Sequence, residues 1–265
     1  MYSTFQITKK YLHYYLTASS GKGHGIHSPF VFDFIKNVLR DKKKYDCYHR
    51  IEKRRQALIA DHQQINVEDL GAGSSLIKTN TRTVSDIAGS SLKPPKYAQL
   101  LFRMINYYHP QRIVELGTSL GITAAYLSSG NANAILYTLE GEKNIAQIAR
   151  QGFEGLGLKN VELIEGDFTN TLPLLLAKLE KTDFTFIDGN HSKEPTLRYF
   201  EQLLDHSTSS AILVFDDIHW SASMEEAWAI IQQSPSVTLT LDLFFIGIVF
   251  LNPDFKIKQH FTIRF

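Results

Sequence analysis

Six acids and two histidines in this chain each close an apolar run. They are Glu115 in "IVELGTSLG", Glu140 in "AILYTLE", Asp167 in "EGDF", Asp188 with His191 in "FIDGNHSKE", and Asp216, Asp217 and His219 in "ILVFDDIHW". Ligands of open α/β sheets bind beyond the carboxyl ends of the strands, so acids in these places are positioned to do chemistry together. The glycine turn after Glu115 is the first tool: glycines let the backbone approach a ligand closely, and the following helix offers free N–H groups to an anion. Glu140 is the second. It lies nineteen residues after Gly121, close to the roughly 20-residue offset at which an acid on the next strand meets a cofactor ribose.

A second copy of the turn, "VEDLGAGSS" at 67–75, competes for that role. Its context is poorer. The preceding "INVEDL" alternates apolar and polar residues like a half-exposed edge strand or extended loop, and the following "SSLIKTNTRTVSDIAGSSLKPP" is polar, turn-rich and without a strand signal. The 113–121 copy instead follows a helix with Leu100, Leu101, Met104, Ile105 and Tyr108 at helical spacing and precedes a short helix ending at Gly130. The cofactor is therefore assigned to Gly117, Thr118, Ser119 and Gly121 with Glu140, and the 67–75 copy to a structural turn. Serine stands where a G-x-G-x-x-G fingerprint needs its middle glycine, and no Walker lysine follows, so the turn alone names no cofactor.

The elements that must position these residues follow from the hydrophobic pattern. Strands are expected near 112–116, 135–139, 161–165, 183–187 and 210–215, alternating with helices, which means a parallel sheet covered on both faces. After a helix at about 223–233 the sequence becomes strand-like to its end, with "NPD" as a turn, so the sheet finishes with antiparallel strands. Residues 1–64 read as a helical appendage or cap, 65–95 as a linker loop and 96–265 as the main domain. In "HSPFVFDFIKNVLR" Ser28 can cap, Pro29 suits a first turn, and Phe30, Phe34, Val38 with Val31, Ile35, Leu39 form an apolar stripe. His24 and His27 sit in the glycine-rich link and could roof a pocket.

Size and composition exclude several classes. The chain has 265 residues, 43% hydrophobic and 21% charged, enough for one large α/β domain with an appendage. No apolar run is long enough to span a bilayer and no signal peptide is evident, which predicts a cytoplasmic protein without membrane contact. Its single cysteine, Cys47, excludes an internal disulfide and a cysteine-based zinc site. A net charge of +1 gives no global attraction to nucleic acid, although residues 36–55 hold nine basic residues against Asp41, Asp46 and Glu52.

Taken together, "PKYAQ", "VELGTSLG", "YTLEGE", "EGDF", "FIDGNH" and "FDDIHW" resemble, in kind and order, the class I S-adenosylmethionine-dependent methyltransferases, and within them the metal-dependent O-methyltransferases of the catechol O-methyltransferase type. The resemblance covers roughly residues 94–251. It implies a Rossmann-like sheet with helices on both faces and S-adenosylmethionine as cofactor. Glu140 would accept the ribose hydroxyls, Asp167 would face the adenine amino group, and Glu115 with the 117–121 turn would hold the methionine end. Asp188 would stand beside the cofactor and, with Asp216 and Asp217, would hold Mg²⁺ or Mn²⁺, since three converging carboxylates repel one another unless a hard cation neutralises them.

The chain departs from the catechol pattern in two places. An Asp-Asp pair replaces Asp-Asn, and His191 stands where that enzyme type has its catalytic lysine. "IDGNHSKE" is closer to the I-D-G-x-H-x-Y-E segment of bacterial methyltransferases acting on sugar hydroxyls of natural products, with Glu194 kept and Lys193 in place of tyrosine. The resemblance thus implies O-methylation of a small-molecule acceptor, with His191 and Asp188 catalytic and His191 as the base for a metal-acidified hydroxyl. His219 is the next candidate base. Two rivals stay open, an RNA methyltransferase using the basic 36–55 segment and a non-catalytic S-adenosylmethionine-binding protein. Nucleic acid is disfavoured because "IDGNH" occupies the place of the [ND]-P-P-[YF] stretch typical of amine methylation. A homodimer is left open.

Overall fold

The computed structural model describes residues 1–67 and 81–265. In chain order the elements are α1 (Thr4–Thr17), α2 (Pro29–Phe34) continued by one π-helical turn (Ile35–Leu39), α3 (Asp46–Ile59), β1 (Gln64–Asn66), β2 (Thr81–Thr83), α4 (Val84–Ser91), α5 (Pro95–Tyr108), β3 (Arg112–Leu116), α6 (Ile122–Gly130), β4 (Ile135–Glu140), α7 (Lys143–Leu156), β5 (Val161–Glu165), α8 (Phe168–Lys178), β6 (Thr182–Ile187), α9 (Lys193–Asp205), β7 (Ser207–Asp216), α10 (Ala222–Gln233), β8 (Leu239–Asp242), β9 (Ile246–Phe250) and β10 (Gln259–Thr262). The expected class is the one found: a mostly parallel sheet with helices, and antiparallel pairing towards its C-terminal end. No described helix is long and apolar enough to cross a membrane.

The chain forms two compact units, residues 42–178 and residues 1–41 with 179–265. In the first, β3, β4 and β5 run parallel, with Glu115 opposite Thr138 and Glu140 opposite Glu165. α5 buries Leu100, Leu101, Met104 and Ile105, the face read from the sequence. The segment expected to be a strandless linker holds two elements instead. β2 pairs antiparallel with β1, and Thr83 caps α4, accepting from Asp86 N–H at 3.1 Å. The reason lies in three apolar residues, Val84, Ile87 and Ala88, whose helical spacing is short enough to be hidden by polar neighbours. All three are buried against Ile51, Leu58 and Tyr126. The glycine copy at 67–75 lies, beyond Val67, outside the described residues.

In the second unit β6 and β7 are parallel, β9 lies antiparallel between β7 and β8, and β10 pairs with β8. That last pairing is parallel, so the all-antiparallel ending read from the sequence holds only for β9 against its two neighbours. Register decides what each face meets. Phe250, opposite Ile212, packs on Phe30 and Phe34 of α2, while Phe215, opposite Gly247, packs on Phe200 of α9 and Trp228 of α10. Ser28 caps α2 and Pro29 opens it, as read, and the stripe buries Val31, Phe34, Ile35, Val38 and Leu39.

Candidate active site

The glycine turn of the 42–178 unit is built by its own backbone. Gly117, Ser119 and Gly121 take left-handed conformations (φ 100°, 47° and 81°), a tight reversal in which the N–H groups of Gly117 and Thr118 both donate to Leu139 O at 3.1 Å. At Gly121 a side chain has no room: a Cβ would stand 2.8 Å from the Phe153 ring. Ser119 accepts the positive φ that the sequence pattern would give to glycine, and its Oγ lies 2.8 Å from that of Ser91 at the end of α4. No side chain caps α6, so its first N–H groups have no capping partner.

Glu140 ties this turn to the next strand. Its Oε2 accepts from Ser119 N–H at 2.7 Å and its Oε1 from Glu142 N–H at 3.0 Å. A carboxylate has about four acceptor sites, so two remain for a pair of ligand hydroxyls. Burial pushes its pKa up, working against these bonds. Glu115 is fully buried at the tip of β3. Its Oε2 accepts from Thr138 Oγ1 at 2.6 Å, while Oε1 has no hydrogen-bond partner. Burial raises this carboxyl to about 8. Thr118 Oγ1 lies 2.6 Å from Thr138 Oγ1 and extends the chain of hydroxyls back into the turn. Asp167 accepts from Thr169 N–H at 2.7 Å and so caps the first turn of α8.

The other unit gathers Asp188, His191 and Asp216, each offering a ligand atom within 4.8 Å of the others. Asp188 follows β6, Asp216 ends β7 and is nearly fully buried, and His191 precedes Ser192, the N-cap position of α9. His191 Nε2 stands 3.5 Å from Asp188 Oδ1. Asp217, expected as the third carboxylate, is outside this group; it takes φ 53° and donates its N–H to Phe245 O at 2.7 Å. Lys193, where the resembling segment has tyrosine, turns to Glu226 of α10 at 2.9 Å.

His219 is committed elsewhere. Its Nδ1 lies 2.9 Å from Glu225 Oε1 and its Nε2 2.8 Å from Asp242 Oδ2, so neither nitrogen is open to a substrate proton. Burial opposes its charge, but the hydrogen bonds and attraction of Asp242 and Glu225 prevail, and its pKa stands above the ordinary value. Glu225 also accepts from Tyr2 Oη and from Lys10 Nζ. Sequence reasoning missed this network: its partners lie 215 and 223 residues apart, and no local pattern marks them. Cys47 is half-buried, with its thiol pushed up to about 11 by burial, and His24 and His27 are exposed.

Residues 114–218, which include every cofactor-turn and cluster residue above, match a family model described as a methyltransferase domain. Over these residues the chain is similar to methyltransferase domains. The chain is similar to the O-methyltransferase imqG of Aspergillus flavus, 30% identical over 111 residues, which cover 40% of this chain and 44% of that protein. A Mycobacterium sp. (strain JLS) relative is 28% identical over 145 residues, 54% of this chain and 62% of the other, so the matches span about half the length of these relatives. In fold, the chain is similar to the O-methyltransferase from Bacillus cereus, solved in complex with SAH, at TM-score 0.57 and 20% identity over 83% of this chain and 97% of that one.

Proposed function

We infer that the chain is an S-adenosylmethionine-dependent O-methyltransferase acting on a hydroxyl of a small-molecule acceptor. The observation that carries this reading is Glu140, fixed by Ser119 and Glu142 N–H groups with acceptor capacity left for two ribose hydroxyls. Glu115 fits the methionine end because its buried Oε1 has no partner in the protein, and a ligand ammonium or an ordered water would satisfy it. The uncapped N-terminus of α6 suits a carboxylate. Asp167 supports an adenine contact with the oxygen not spent on Thr169. The SAH of the Bacillus cereus structure agrees with this assignment.

The acceptor hydroxyl belongs at the group of Asp188, His191 and Asp216. Asp188 and Asp216 would hold a divalent cation such as Mg²⁺ or Mn²⁺, with the His191 imidazole within 4.8 Å left uncoordinated as the base. Such a cation would acidify a hydroxyl bound to it. His191 takes the hydroxyl proton on Nε2, and Asp188 at 3.5 Å stabilises the imidazolium that forms. S-adenosylmethionine, when bound, would supply the methyl group for the freed oxygen and leave as S-adenosylhomocysteine. Positioning supplies most of the rate.

The RNA reading loses support from three residues of the basic segment that are spent inside the protein. Arg50 donates to Leu156 O, Arg54 to Ile148 O, and Arg55 pairs with Glu52. Transfer of a labelled methyl group from S-adenosylmethionine to a panel of phenols, sugars and RNA tests the proposal. The expected result is label on a phenol or sugar oxygen, lost in EDTA and restored by Mn²⁺ or Mg²⁺. Label on RNA alone would replace the acceptor class, and full activity in EDTA would remove the metal.

A further inference from the structure

Helix α1 is apolar on two sides, and the fold uses one of them. Ile7, Tyr11 and Tyr14 pack with Ala18 against Phe244 and Phe245, the Tyr11 and Tyr14 rings standing 5.2 and 5.3 Å from that of Phe244. Phe5, Leu12 and Leu16 form a second stripe. At about 100° per residue they lie close together on the helix, roughly 150° round its axis from the packed face. These three side chains are 79%, 55% and 78% exposed. A lone exposed leucine is ordinary, but three large apolar side chains aligned on one helix mark a surface made for a partner.

Charge says what kind of partner. Lys9 and His13, both exposed, flank the stripe on one side. On the other, Tyr15 is exposed with the Arg264 guanidinium 4.6 Å over its ring. Lys22, also exposed, follows in the turn after the helix, and residues 1–32 contain no aspartate or glutamate. Lys10 is the cation spent on Glu225. A second copy meeting this stripe across a twofold axis would set the same cations against one another, with no acid on α1 to pair them. An anionic lipid surface supplies what the stripe lacks: an apolar layer for the three side chains and phosphates for the cations. Tyrosine and lysine suit its wet boundary, where each buries its stem and keeps its polar end in water.

We propose that α1 is an interfacial helix that lays Phe5, Leu12 and Leu16 into the headgroup boundary of an anionic lipid surface, with the flanking cations against lipid phosphates. Such a contact needs no spanning run, and the sequence excluded only a spanning segment. None of these residues belongs to the groups around Glu140 or Asp188, so the proposal stands independently of the methyltransferase reading.

The test is flotation of the full chain with vesicles of phosphatidylcholine alone or mixed equally with phosphatidylglycerol. One helix with three inserted side chains gives weak, reversible binding, half-complete at roughly 0.1 to 1 mM lipid on the mixed vesicles. Binding should be about tenfold weaker on phosphatidylcholine alone, and high salt should weaken it on the mixed vesicles. The double variant Phe5→Ser, Leu16→Ser should lose it, Lys9→Glu should weaken it several-fold, and Leu12→Met should keep it. All four positions are exposed, so the Tm of each variant should match that of the wild type. A wild-type chain that stays off both vesicles, equal binding to the two, or binding that survives the Phe5 and Leu16 substitutions overturns the proposal. A dimer in light scattering that the same substitutions dissociate would overturn it too, assigning the stripe to a second copy.

Discussion

The two groups of acids in this protein are held by opposite means. Glu140 is fixed by backbone donors two and twenty-one residues away, within one strand–turn–helix motif. Glu225 is fixed by side chains six, 215 and 223 residues away, on the segment after β7, on α1 and just before α1. A backbone donor comes with the fold of the motif, whereas a side-chain donor must be brought by tertiary packing. The first kind of site tolerates change in distant sequence; the second is free to vary with each remodelling of α1.

Mutations can sharpen the contrast. The largest effect is expected at the reactive group, where His191→Gln should lower kcat by roughly 10² to 10⁴, with partial recovery at high pH as the hydroxyl ionises unaided. Cofactor affinity should change little. A wild-type kcat across the pH range would refute the role, and His219 could not inherit it with both nitrogens engaged.

Next comes the turn itself. Gly121→Ala meets both a positive φ of 81° and the Phe153 ring at 2.8 Å, which should cost about 2 to 4 kcal/mol in denaturant unfolding. A neutral outcome would mean that the turn is not the rigid element described.

The smallest effect is at Glu115, whose carboxyl is raised by burial from 4.5 to about 8. Because the fold accepts the neutral form, its contribution is fully present below pH 4.5 and is lost as pH rises through about 8. Glu115→Gln should therefore flatten the fall in stability of the ligand-free protein over that window, raising Tm by about 2 to 4 °C at its alkaline end. An unchanged slope would show that Glu115 does not carry the burden assigned to it.

How much of this was legible in the sequence follows the same division. Strand β3 lies where the apolar run put it, because a strand buried on both faces leaves an uninterrupted signal; β5, only partly buried at the sheet edge, also lies at the expected 161–165. The link between Glu140 and the glycine turn was readable because its spacing is set by one strand and one helix. α4 was not readable, its apolar face amounting to Val84, Ile87 and Ala88 among serines. The parallel pairing of β10 with β8 was hidden too, since alternation marks a strand but not its direction. At the reactive group the sequence pointed to Asp188, Asp216 and Asp217; the structure brings His191 into reach of the first two and leaves Asp217 on a backbone turn.

The central claim is that the turn at 117–121, with Glu140, grips S-adenosylmethionine, and calorimetric titration with S-adenosylhomocysteine tests it most directly. Glu140→Ala removes two charge-assisted bonds to the ribose, so the account predicts affinity weakened by roughly a hundredfold or more. Gly71→Ala and Gly73→Ala, in the other glycine copy, should weaken it far less. Near wild-type affinity in Glu140→Ala together with loss of binding in the Gly71 and Gly73 variants would contradict the account.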